Sequence, residues 1–122
     1  MFRLKASLTV ALALAPSLAG ATEAPAIRDI GDAARGRQTI ATVGCGACHT
    51  IPGVRGAVGK TAPPLMWMGR RTTIAGMLPN TPSNMFRWLK NPQAIVPGNA
   101  MPAGNLSDQQ VRDIAAYLES LK

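Results

Sequence analysis

The chain is poor in histidine and cysteine: 122 residues contain one histidine and two cysteines. A zinc site built from Cys and His takes four ligands. Only three such residues exist here, so that chemistry is excluded. Acidic residues are also few, six against thirteen lysines and arginines, for a formal net charge of +7. That balance suits acidic proteins, anionic surfaces or nucleic acid. Strand patterning is weak throughout, and no internal repeat or low-complexity tract occurs. Past Leu18 there is no long apolar run, so nothing later has the roughly 20 residues needed to cross a bilayer.

The one apolar run lies at the start. Arg3 and Lys5 precede it, Ala6 to Leu18 is almost wholly apolar, and Ala19-Gly20-Ala21 is a small-x-small site. This order is that of a secretory signal peptide. The apolar core of 13 residues is too short for a comfortable span. Residues 1–21 are therefore expected to be a signal peptide, 22–31 a flexible leader, and 32–122 a single domain exported to the periplasm. The mature chain is expected to stay out of the membrane. Export also sets nucleic acid aside as a partner. Without Arg3 and Lys5, eleven basic residues face six acidic ones, or +5.

The motif that carries chemistry is Cys45-Gly46-Ala47-Cys48-His49. Two thiols at i and i+3 followed at once by histidine form the attachment signature of c-type haem. Each thiol adds to one vinyl group of the porphyrin, so both sulfurs must lie along one edge. The next residue then falls beneath the iron, where an imidazole nitrogen can bind it. A disulfide between Cys45 and Cys48 is the competing use in an oxidising compartment. It would close a very small loop and constrain the unfolded chain little. It would also leave His49 unexplained.

Local signals place short helices around this motif. Asp32 is an N-cap candidate for a helix running to Val43, with Gly44 as its stop. Thr50 to Pro64 is a loop rich in glycine and proline. Leu65 to Asn80 is irregular, with a short helical turn expected over Ile74 to Leu78. Thr81 caps a helix reaching Asn91, with Pro82 at its first position and Pro92 at its end. Ser107-Asp108-Gln109-Gln110 is a capping box. Val111, Ile114, Ala115, Leu118 and Leu121 follow it on one apolar stripe. The fold class is all-α, with short helices and long loops. Loops of this length are unusual in a compact domain, and a large prosthetic group enclosed by them accounts for it. Fold and cofactor are then expected to be inseparable.

An iron bound by His49 needs a second axial partner or an open position. Methionine sulfur is the usual ligand of a high-potential electron-transfer haem. Met66, Met68, Met77, Met85 and Met101 follow the signal, and most methionines are core filler. Met85 falls on an apolar helix face. Met101 lies in an extended segment stiffened by Pro97 and Pro102, where a side chain can be aimed.

Taken together these residues resemble the class I c-type cytochromes. Gly36 and Ile40 are similar to that family's first helix. The attachment motif follows, then Pro63 or Pro64 with Leu65, Trp88-Leu89, Asn91-Pro92, and Pro97 to Pro102. Ile114, Tyr117 and Leu118 resemble its last helix. The resemblance implies a cytochrome c fold around one covalent haem c. It implies Cys45 and Cys48 as attachment points and His49 and Met101 as axial ligands. A proline carbonyl, from Pro63 or Pro64, would hold the histidine ring. Arg71, or its neighbour Arg70, would pair with a haem propionate. Trp88 stands where the family often has Tyr beside the methionine. The run from Pro79 through Met101 is also similar to small bacterial domains associated with respiratory oxidases. The implied function is single-electron transfer without enzymatic activity, by a monomer on which redox partners dock briefly: an oxidase or dehydrogenase with an acidic docking surface. Arg55, Lys60, Arg70, Arg71, Arg87 and Lys90 could ring the haem edge for such a partner. Other uses of the same residues are gas binding or peroxidase-like activity with a labile methionine, or an electron-entry subunit of a periplasmic dehydrogenase.

Overall fold

A computed structural model describes residues 31–122. The expected signal peptide, and the expected leader up to residue 30, lie outside the described residues. Three α-helices form where the caps lie. Helix α1 spans Ala33–Val43; the Asp32 side chain accepts from the Arg35 amide, and Gly44 ends it at φ 90°. Helix α2 spans Pro82–Lys90, capped by Thr81. Helix α3 spans Asp108–Ser120, and both halves of the Ser107–Gln110 capping box are formed. Each cap satisfies an amide that the first turn leaves unpaired.

The segment after Leu65 departs from expectation. Ile74 to Leu78 is not helical. Thr73–Ile74 (β1) and Leu78–Pro79 (β2) pair antiparallel, Thr73 opposite Pro79 and Ile74 opposite Leu78. Ala75 and Gly76 both take left-handed conformations, φ 52° and 68°. Two successive residues of that hand reverse the chain and cannot continue a right-handed helix.

Helix α3 is the spine. Its buried stripe of Val111, Ile114, Ala115 and Leu118 is joined by Tyr117, while Leu121 is half-buried at the C-cap. Ile40 of α1 and Met85 and Leu89 of α2 join the same core, with Ile51, Val54, Ala57, Met68 and Ile74 from the segments between. At Gly36 the two backbones nearly touch: a β-carbon there would lie 1.9 Å from the Asp113 carbonyl oxygen. A side chain at that point would push α1 off α3. Gly31, assigned above to the leader, already packs against the Arg112 carbonyl. Among the described residues no helix is long and apolar enough to cross a membrane.

One charged group locks this crossing. Asp113 is 3% exposed. It accepts from the Asp32 amide at 2.8 Å, from Arg35 Nε and Nη2 at 2.9 and 3.1 Å, and from Gln109 Nε2 at 2.9 Å. Burial pushes its pKa up, but these donors outweigh burial and hold the carboxyl below its ordinary value. A depressed native pKa contributes stability above the unfolded value near 4, which is lost as pH falls through the native value. Asp113→Asn should therefore lower Tm by roughly 4–8 °C at neutral pH, the shift for about 1 kcal/mol. Its deficit against the parent should shrink below about pH 4. Thermal melts across pH check this; a deficit independent of pH would contradict the lock.

Candidate functional site

Helix α1 delivers the chain through Gly44 into a tight turn, Cys45–Ala47. The loop that follows folds back along this turn. The Gly59 amide donates to Gly46 O at 3.0 Å, Ala62 to Cys48 O at 3.0 Å, and Leu65 to Thr50 O at 2.9 Å. Close approach requires glycine at 59, where a β-carbon would lie 2.4 Å from the Ala47 carbonyl oxygen. Pro63 lies between the last two of these bonds, and its carbonyl oxygen sits 2.6 Å from His49 Nδ1. A carbonyl only accepts, so Nδ1 carries the proton and Nε2 keeps its lone pair. The ring is thereby fixed in orientation and made a better metal donor. The Pro64 carbonyl, the other candidate, instead accepts from Arg71.

Both cysteines are free thiols; Cys45 is half-buried and Cys48 exposed. Burial pushes the Cys45 thiol above its ordinary pKa. Among the described residues no three His, Cys, Asp or Glu side chains could hold a metal ion together. Two free thiols on one turn, beside an imidazole with its Nε2 unencumbered, fit a covalent haem.

The five methionines separate by environment. Met68 and Met85 are buried at 5% and 1% exposure, as core filler would be. Met66 and Met77 are exposed. Met101 is half-buried against the core. Its amide donates to Asn99 Oδ1 at 2.7 Å, and Gln93 Nε2 donates to the carbonyls of Asn99 and Met101. Neither Gln93 nor Asn99 carried a role in the sequence reading. Their bonds cross a loop, and no local pattern announces them.

Arg71 reaches the Pro64 and Met66 carbonyls through Nη2, at 2.5 and 3.1 Å, so it latches the loop that carries Pro63. Arg70 is exposed. Asn80 Nδ2 donates to Met68 O and Arg71 O, both at 2.8 Å, and holds the adjoining turn. Leu65 and Trp88 are half-buried against the core. Lys90, expected among the cations around the haem edge, is instead engaged with Asp108 Oδ1 at 2.7 Å and Leu106 O at 2.9 Å. That donor holds the Asp108 carboxyl below its ordinary pKa. It ties the end of α2 to the start of α3.

The sequence model of the family Cytochrome c matches residues 33–122. The chain belongs to the cytochrome c family. Cytochrome c2 of Rhodopila globiformis is 34% identical over 103 residues, 75% of this chain and 95% of the relative. Cytochrome c oxidase subunit 2 of Alkalihalophilus pseudofirmus is 37% identical over 89 residues, 72% of this chain and 25% of the relative. The chain thus spans about a quarter of the oxidase subunits it matches. A crystal structure of SoxXA from P. pantotrophus superposes with a TM-score of 0.62 at 24% identity, over 76% of this chain and 83% of that one. That likeness shows the fold alone. The cofactor of this cytochrome c domain is covalently attached haem c, and the domain's role is to carry electrons.

The latch is testable. Arg71→Met removes a charged donor from two carbonyls, a net loss of about 1 kcal/mol for part-exposed bonds. The melt of the haem-loaded protein should fall by roughly 4–8 °C. An unchanged Tm would show that Arg71 does not hold the loop.

Proposed function

We propose that this cytochrome c is an exported carrier of single electrons that delivers them to a terminal oxidase. Cys45 and Cys48 would attach the haem, and His49 and Met101 would bind its iron. The observation that carries this reading is the His49 Nδ1–Pro63 carbonyl contact immediately after the thiol pair. It leaves one nitrogen of the only histidine free for a metal. Haem iron supplies a centre that changes oxidation state by one electron. The chain's part is to keep both ligands in place in each state, so that little rearranges during transfer. Pro63 fixes the ring on one side. On the other, Met101 is backed by the core and held through its own backbone. A thioether ligand in apolar surroundings raises the potential.

Similarity to oxidase subunit 2 over most of the domain supports an oxidase as acceptor. The charged and apolar start of the chain supports export to the periplasm, with residues 1–21 removed, 22–31 as the leader and 32–122 as the functional domain. The protein acts as a monomer. Its partner contact is small and transient, as redox encounters are. Arg55, Lys60, Arg70 and Arg87 are exposed and suit an acidic docking surface. Oxidation of the reduced protein by a purified terminal oxidase should then slow by about tenfold or more between low and physiological salt, the lower end of steering effects. A flat salt profile would refute steering, and no oxidation at any salt would refute the acceptor.

A further inference from the structure

We propose that Gln93 is the residue that positions Met101 for the iron, and that it does so through its amide rather than through packing. The inference rests on Met101 being the axial ligand. Gln93 lies in the turn Pro92–Ala94, which is anchored on both sides. Pro92 is buried, and the Asn91 side chain caps the turn by accepting from the Ala94 amide. From that base one carboxamide reaches three backbone groups of the next loop. Oε1 accepts from the Gly98 amide at 2.9 Å. Nε2 donates to Asn99 O at 2.7 Å and to Met101 O at 3.2 Å. The side chain therefore uses both of its chemical faces, and it grips the loop before, within and at the methionine. Asn99 closes the remaining gaps: its Nδ2 donates to Val96 O and its Oδ1 accepts from the Met101 amide, each at 2.7 Å.

This matters because methionine is a weak ligand held by geometry. Extended segments have no regular ladder to fix them, and the described segment from Ala100 to Ser107 has no helix or strand of its own. Gly98 at φ 80° permits the bend but does not stiffen it. Without the amide, three backbone groups must find water, and the loop gains freedom to lift its sulfur away. An external ligand would then compete more easily for the iron.

The donor and acceptor halves of the amide can be separated. Gln93→Met keeps the length and removes both functions. Gln93→Glu keeps an acceptor for Gly98 but turns a carboxylate oxygen toward two carbonyls. Gln93→Lys keeps a donor for those two carbonyls. The measurement is the affinity of imidazole for the oxidised, haem-loaded protein, together with the weak far-red band that reports methionine sulfur on ferric haem. We expect Gln93→Met and Gln93→Glu to bind imidazole about tenfold more tightly than the parent, the factor for one lost hydrogen-bond contribution, and to weaken the band. Gln93→Lys should return most of the way to the parent.

Asp113→Asn is the control, since it loosens the helix crossing without touching this loop. If it raises imidazole affinity as much as Gln93→Met does, the effect is general destabilisation and the proposal fails. The proposal also fails if Gln93→Glu and Gln93→Lys behave alike, because the donor then does not matter. Met101→Ala separates this result from the underlying reading. If the parent's far-red band survives that substitution, the axial assignment is wrong, and positioning of an axial Met101 falls with it.

Discussion

The contact between His49 Nδ1 and the Pro63 carbonyl is the constraint on which the site depends. It is a single hydrogen bond, but it settles three things at once: the tautomer, the ring's orientation, and which nitrogen remains for a metal. Nothing in the pentapeptide alone settles them. They follow from the loop that returns over the motif, pinned by amides at Gly59, Ala62 and Leu65 and latched by Arg71. The site is thus a property of two segments zipped together, with the second as important as the first.

The scaffold supplies the rigidity that this zipper needs. Helix α3 receives α1 at a glycine crossing, and the buried carboxylate of Asp113 ties the start of α1 to the middle of α3. Lys90 then ties α2 to the beginning of α3. Tyr117 extends the same helix to the loop after the motif, donating its hydroxyl to the Pro52 carbonyl. Both other helices and the loop after the motif are therefore referred back to one helix. A small domain buries little surface, and this arrangement lets one helix order much of the rest.

Much of the fold was legible because its signals are local. Asp32, Thr81 and Ser107 cap the helices within three residues of themselves, and the stripe from Val111 to Leu118 has a helical period. The hairpin was not legible. Its turn places an alanine, Ala75, in a left-handed conformation that alanine does not advertise, and five residues between two uncertain ends can be read as one helical turn. Trp67 likewise takes φ 55°, a left-handed conformation that a bulky aromatic does not advertise. Asp113 sits beside the apolar stripe and reads as a surface acid; only the arrival of α1 buries it. In the site, the residue types were legible from spacing. The choice between Pro63 and Pro64 was not, because it depends on how the loop is pinned. Gln93 was invisible for the same reason, since its partners lie five to eight residues away across a bend.

The central claim is that both axial positions of the iron are filled by this chain, by His49 and by Met101. The most direct measurement is the absorption spectrum of the reduced, haem-loaded protein before and after carbon monoxide is added. The account predicts a low-spin spectrum that carbon monoxide leaves unchanged. A marked shift would mean an open or easily vacated position, and would contradict it.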